Sequence, residues 1–265
     1  MNLRCPDLSR NPCGNDTEKG QSLRGEIMVP WGDWTPSAVA VDIDGTLTDG
    51  NRILDGDALR ALKRLEEAGI PVILATGNVR PVAYGLWRFS GLSGPMVCEN
   101  GGVVWHPDWD APLLMGDARR AQAASDWLAT RIEGLDPKGI TTNAWRESEW
   151  CLAPDGDLAR IREELATSPY SDLVTVRTGF AIHVMEPGLT KANGLKHALR
   201  HLEVPPDAVL AIGDAPNDLS MFGLVGRSIA VGGAFPEVAA AADLASPHPH
   251  SKAVIVAVED ILDSN

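Results

Sequence analysis

Two carboxylates stand one residue apart in Val41-Asp42-Ile43-Asp44-Gly45-Thr46, and a second acidic group follows in Gly213-Asp214-Ala215-Pro216-Asn217-Asp218. Carboxylates this close repel one another unless a proton or a cation offsets them. A hard divalent ion such as Mg²⁺, which prefers oxygen ligands, is the natural partner. Metal-assisted chemistry on an anionic substrate is therefore within reach of these residues. An acidic surface turn is the ordinary alternative, because Asp and Gly favour loops. The elements that carry the acids decide between the two. Ala38-Val39-Ala40-Val41 is a short apolar run that reads as a buried strand, so Asp42 ends it and Asp44 lies in the turn beyond. Val209-Leu210-Ala211-Ile212 leads into Gly213-Asp214 in the same way, and Pro71-Val72-Ile73-Leu74-Ala75 leads into Thr76-Gly77-Asn78. In open α/β sheets the ligand crevice lies outside the carboxyl ends of the strands. Two acidic strand tips converge only if their strands are neighbours, so the metal reading is also a prediction of topology. At the third tip, the Thr76 hydroxyl and the backbone N–H groups after it suit anionic oxygens. Lys191, at the start of a helical pattern, supplies the cation such a site lacks; on a solvated helix it would be unremarkable.

The rest of the chain supports an α/β fold. Residues 1–36 lack periodicity and read as a flexible N-terminal extension, with Met28 a possible true start. Helices are expected over 57–68, ending at Gly69, and over 79–90, where Pro81 is tolerated in the first turn. Met96-Val97-Cys98 reads as a strand, and residues 101–105 as an adjoining hairpin. Between residues 106 and 187 the pattern changes to helices near 117–133 and 157–167 with strands near 145–152, 173–176 and 181–185. That order suggests a small α+β domain inserted in the larger one. The α/β pattern resumes with a helix over 191–201, the strand 209–212, a helix over 217–224, a short strand 228–231 and two further helices. The expected domains are a core of residues 37–105 and 188–265 and an insertion of residues 106–187.

Composition narrows the function. The net charge of -13 over 265 residues argues against nucleic acid, which calls for a basic patch, and against anionic membranes. No apolar run approaches the ~20 residues of a membrane helix and no signal peptide opens the chain, so the expected location is cytoplasmic. The four cysteines, Cys5, Cys13, Cys98 and Cys151, are scattered and fit reduced thiols. His248-Pro249-His250 reads as a loop.

Four segments in order, Asp42-x-Asp44-Gly45-Thr46, Thr76, Lys191 and Gly213-Asp214-x-x-Asn217-Asp218, resemble the motifs of the haloacid-dehalogenase superfamily of phosphatases. The resemblance covers residue 38 to the C-terminus and implies a Rossmann-like core with a parallel sheet and an inserted α+β cap. The segments Thr76-Gly77-Asn78-Val79-Arg80-Pro81-Val82, Gly94-Pro95, Glu99-Asn100-Gly101-Gly102, Thr142-Asn143-Ala144-Trp145-Arg146-Glu147 and Gly179-Phe180-Ala181-Ile182-His183 are similar to the archaeal phosphoglycolate phosphatases of that superfamily. The resemblance implies that Asp42 attacks phosphorus to form an aspartyl phosphate. Asp44 is implied as general acid and base. Thr76, Gly77, Asn78 and Lys191 are implied around the phosphoryl oxygens, and Asp42, Asp44 (through its carbonyl), Asp214 and Asp218 around Mg²⁺. Arg146 is the candidate for reading a substrate carboxylate in the cap, with a salt bridge to Glu147 or Glu149 as its plain alternative. For Trp145 and His183, packing inside the cap is the ordinary reading.

The expected reaction is Mg²⁺-dependent hydrolysis of a small phosphorylated metabolite, 2-phosphoglycolate first. A sugar-phosphate phosphatase or a phosphomannomutase-like mutase is the alternative within the superfamily. A non-catalytic phosphate-binding module like a receiver domain is the remote one, and receiver domains lack the Asp-x-Asp-Gly-Thr order and the insertion. The sequence leaves the oligomeric state open, a homodimer included.

Overall fold

A computed structural model describes residues 34–264; the expected N-terminal extension lies, up to residue 33, outside the described residues. The first half of the core runs β1 (Ala38–Val41), α1 (Gly56–Glu67), β2 (Val72–Leu74), α2 (Arg80–Ser90), β3 (Met96–Cys98), β4 (Val103–Trp105) and β5 (Leu113–Leu114). The cap follows as α3 (Ala118–Ala129), β6 (Glu149–Leu152), α4 (Leu158–Ala166), β7 (Val174–Arg177) and β8 (Ile182–Met185). The chain returns to the core through α5 (Lys191–Leu202), β9 (Val209–Gly213), α6 (Leu219–Phe222), β10 (Arg227–Gly232), α7 (Pro236–Ala241), β11 (Leu244–Pro249) and α8 (Ser251–Asp263).

The core sheet is parallel, in the order β11-β10-β9-β1-β2. All four residues of β1 are buried, and they alternate between two layers. Val39 and Val41 pack with Leu62 and Leu65 of α1 and Val254 and Val258 of α8, whereas Ala38 and Ala40 pack with Leu195 and Leu199 of α5. Such continuous apolar strands are what a parallel sheet covered on both faces requires. Val41 lies level with Ile212 on one side and Leu74 on the other, so the residues that follow all three emerge at one sheet edge. The predicted convergence of the acidic tips is thereby met. Side chains cap the helices that leave the edge: Asp55 accepts the N–H of Asp57 at 2.8 Å, and Thr190 that of Asn193 at 3.2 Å.

In the cap, α3 and α4 cover the antiparallel sheet β6-β8-β7 and bury Ala124, Leu128, Ile161, Leu165, Leu152 and Ile182 between them. Local expectations needed several corrections. The strand expected from residue 145 starts at Glu149, because Thr141–Trp145 is a 3-10 turn. The helix expected over 217–224 is a 3-10 turn, Pro216–Asp218, followed by the short α6. Strands β5 and β11 were unforeseen; β11 carries Pro247 and Pro249, which the outermost strand of a sheet tolerates. His248 therefore lies in a strand rather than a loop. No helix among the described residues is long and apolar enough to cross a membrane.

Candidate active site

Asp42, Asp44, Gly45, Gly77, Asp214 and Asn217 line one cleft at the carboxyl edge of the sheet, and Thr178, Gly179 and Phe180 of the cap close its other side. Beneath it lies Lys191, fully buried, with Nζ 2.6 Å from Asp42 Oδ1 and 2.6 Å from Asp218 Oδ1. Burial alone would lower the pKa of Lys191, but the carboxylates of Asp218 and Asp42 outweigh it and hold the ammonium above its usual value.

The same three acids crowd one another. One oxygen each of Asp42, Asp214 and Asp218 lie within 4.8 Å of one another. Burial, reinforced by the charges of Asp218 and Asp214, raises Asp42 well above the usual carboxylate value. Burial and Asp218 push Asp214 up to about 6. Three carboxylates against one ammonium leave two negative charges uncompensated, and hard oxygen donors with that deficit fit a divalent cation.

Backbone geometry brings the acids this close. Gly45 adopts φ +86°, and a Cβ there would meet Asp214 Oδ2 at 2.3 Å. At Gly213 a Cβ would meet Asp218 Oδ2 at 2.4 Å. Asp218 Oδ2 accepts the backbone N–H groups of Asp214 (2.9 Å) and Ala215 (3.0 Å), so this side chain organises the loop that carries Asp214.

Thr76 is fully buried, and its Oγ1 accepts the N–H of Asn78 at 3.0 Å; Gly77 rather than Thr76 faces the cleft. Asn78 Nδ2 donates to Asp44 Oδ2 and so orients the half-buried Asp44. The structure thus brings together Asp42, Asp44, Thr76, Gly77, Asn78, Lys191, Asp214 and Asp218.

It does not bring Arg146 to the cleft. The Arg146 guanidinium is sealed below it, paired with Glu149, and its Nη1 donates to the Gly77 carbonyl at 3.2 Å. The salt bridge weighed as its alternative is what forms. Trp145 is half exposed rather than packed inside the cap, whereas His183 is fully buried. His183 Nδ1 lies 2.9 Å from Glu149 Oε1 and 3.2 Å from Cys151 Sγ, and Asn100 Nδ2 reaches Glu149 Oε2 at 3.2 Å. Asn217 Nδ2, at the cleft, donates to Asn100 Oδ1 at 3.0 Å and joins this buried network to the site.

Other contacts tie the cap to the core. Arg80 meets Glu147 through Nε (2.7 Å) and Nη2 (3.0 Å), and Glu99 accepts the N–H groups of Glu147 and Ser148. Sequence reasoning missed two residues that line the cleft. His250 donates from Nδ1 to the Gly45 carbonyl at 2.9 Å, and Arg52 donates to the Gly179 carbonyl of the cap. Neither carries a sequence signal, since each follows a polar turn pattern common on surfaces.

The chain belongs to the haloacid dehalogenase-like hydrolase family, whose profile matches residues 39–115 and 144–258. Among its relatives, a phosphoglycolate phosphatase of Halorubrum lacusprofundi is 40% identical over 78% of this chain and 88% of its own length. A phosphoglycolate phosphatase of Methanothermobacter thermautotrophicus is 37% identical over 83% of this chain and 96% of its own. The crystal structure of Thermoplasma acidophilum 0175 matches with a TM-score of 0.77 and 27% identity, covering 85% of this chain and 97% of that one.

Proposed function

We propose that this protein is a Mg²⁺-dependent phosphomonoesterase acting through an aspartyl phosphate, with 2-phosphoglycolate as its substrate. The observation that carries the reading is the Asp42–Lys191–Asp218 cluster with Asp214 beside it and Asp44 in the same cleft. Lys191 holds Asp42 Oδ1, which leaves Oδ2 to attack phosphorus. The ester bond breaks as the Asp42–phosphorus bond forms, and the leaving alkoxide takes the proton of Asp44. Asp44 then removes a proton from water, whose oxygen attacks phosphorus and releases Asp42 and inorganic phosphate.

Asp42, the Asp44 carbonyl and Asp214 would hold the metal. Both Asp218 oxygens are already engaged by Lys191 and the backbone, so it acts as their support. The metal supplies positive charge that neutralises the transferring group, which is the main demand of phosphoryl transfer. Lys191 and the backbone N–H of Gly77 do the same from the protein side, since the N–H of Asn78 is held by Thr76 Oγ1. Names of relatives 37% and 40% identical favour 2-phosphoglycolate over a sugar phosphate. The Phe180 wall also suits a short leaving group.

The test is Mg²⁺-dependent release of phosphate from 2-phosphoglycolate by wild type and by Asp42→Asn. The amide is nearly isosteric but is no nucleophile, so kcat should fall by several powers of ten. Retention of more than about a per cent of kcat by the folded variant would remove the covalent mechanism.

A further inference from the structure

The cleft has one cation beneath it and a different one at its mouth. Lys191 is committed to Asp42 and Asp218. Arg52 lines the opening, and it is the one Arg or Lys among the described residues that line this cleft. No carboxylate of the described residues pairs with its guanidinium; Nη2 donates instead to the Gly179 carbonyl of the cap.

A tight turn presents this side chain. Asp49 Oδ1 accepts the N–H groups of Asn51 (2.8 Å) and Ile53 (2.9 Å), and Arg52 N donates to the Asp49 carbonyl at 2.9 Å. Thr48 and Leu54 bridge its base. At its tip Arg52 takes φ +63°, a left-handed conformation that L residues avoid and glycine adopts freely. Strained positions of this kind cluster at ligand-binding sites. A glycine would relieve the turn, and an arginine stands there.

We infer that Arg52 is the specificity residue of this cleft, binding a carboxylate on the leaving group. The protein would thereby select phosphate monoesters of short hydroxy acids over neutral esters. This rests on the phosphomonoesterase reading above and deepens it. A guanidinium carries five N–H donors, so one bond to Gly179 leaves a fork that can grip a carboxylate at two points. With the phosphoryl group at Asp42, the acid end of a short substrate is directed to the mouth, where Arg52 stands with donors to spare. Arg146, expected from sequence to do this, is already neutralised by Glu149. Since Arg52 also touches Gly179, the substrate's acid end is held where core and cap meet.

The experiment compares 2-phosphoglycolate with 2-hydroxyethyl phosphate, the same ester with its carboxylate replaced by a hydroxymethyl group. Wild type, Arg52→Gly and Arg52→Lys are assayed on both, and each is melted. Wild type should prefer 2-phosphoglycolate. In Arg52→Gly the ratio of kcat/KM between the two esters should collapse about 10–100-fold, the worth of hydrogen bonds to a charged group. The loss should appear in KM, Arg52→Lys should recover part of the ratio, and the melting temperature of Arg52→Gly should not fall. An unchanged ratio in Arg52→Gly, or a drop of several degrees in its melting temperature, would make Arg52 a cap latch and overturn the inference. Equal use of both esters by wild type would also overturn it while leaving the phosphatase reading intact. Failure of wild type to hydrolyse either ester would overturn the phosphatase reading, and this inference with it.

Discussion

Among the described residues two clusters have the spacing of metal ligands, and they differ in charge. At the sheet edge Asp42, Asp214 and Asp218 lie together, and Lys191 is the one Lys or Arg among the described residues that pairs with any of them. Under the cap Glu149, Cys151 and His183 also lie within 4.8 Å of one another, but the Arg146 guanidinium already holds Glu149. The pKa directions follow. Burial and neighbouring acids leave Asp42 raised well above its usual value and Asp214 at about 6. Burial would raise Glu149 too, but His183 and Arg146 outweigh it and hold its pKa below the usual value. The first cluster is short of two positive charges; the second is balanced and hydrogen-bonded within itself. Charge balance, rather than the distance between ligand atoms, separates a metal site from a polar core.

The comparison breaks most sharply at Glu149. Glu149→Gln takes from the buried Arg146 guanidinium the carboxylate it is paired with, and removing one partner of a buried pair typically costs about 3–5 kcal/mol. Its Nε and Nη2 already lack partners among the described residues, and Glu99, whose charge also reaches it, is engaged by the N–H groups of Glu147 and Ser148. The melting temperature should drop by roughly 10 °C, at about 2–4 °C per kcal/mol for a chain of this size. The double variant Glu149→Gln/Arg146→Met should recover most of that loss, because neither charge remains. Failure of the double variant to recover would show that Glu149 supports something other than Arg146.

Lys191→Met probes the other cluster in the same way. It removes the ammonium beneath Asp42, so kcat should fall about 10²–10³-fold, as when a single donor to a developing charge is lost. The variant should also be more stable at pH 5 than at pH 8, since Asp42 and Asp214, whose pKa values burial already raises, take up protons and repel their neighbours less. A variant with near-normal kcat would mean that Lys191 is only a structural partner of Asp218.

Much of the first cluster was legible in the sequence, because Asp42 and Asp214 each follow a buried strand and the tips of neighbouring parallel strands converge. Val41 leading to Asp42 and Ile212 leading to Gly213-Asp214 are local patterns, and the register that joins them follows from the fold. Arg52 and Arg146 were not legible. Both are arginines in polar segments, and only packing distinguishes the sealed one from the one at the cleft. The contact that marks Arg52 reaches Gly179 across 127 residues of chain. Strand β11 escaped for a different reason: Leu244-Ala245-Ser246-Pro247-His248-Pro249 has no apolar alternation, since an edge strand is half exposed along its length. His250 escaped with it, because its place beside Gly45 depends on where β11 ends.

The smallest of the expected effects is the one that tests the charge argument alone. An acid whose folded pKa is raised contributes stability that is full below its unfolded pKa and is lost as pH rises through the folded value. For Asp214 that window runs from 3.8 to about 6. Mg²⁺ binds only the deprotonated carboxylates, so it should restore over this window what the metal-free protein loses. Thermal melts with and without Mg²⁺ should coincide near pH 4 and separate progressively through pH 6. Their separation should level off at about 2–3 kcal/mol when the metal is about a hundredfold above its Kd. Asp214→Asn should abolish the separation, because one ligand and most of the charge deficit are gone. Glu149→Gln should keep it, although that variant melts lower throughout. A separation that ignored pH, or one that vanished with Glu149 and survived loss of Asp214, would place the metal under the cap and reverse the assignment of the two clusters.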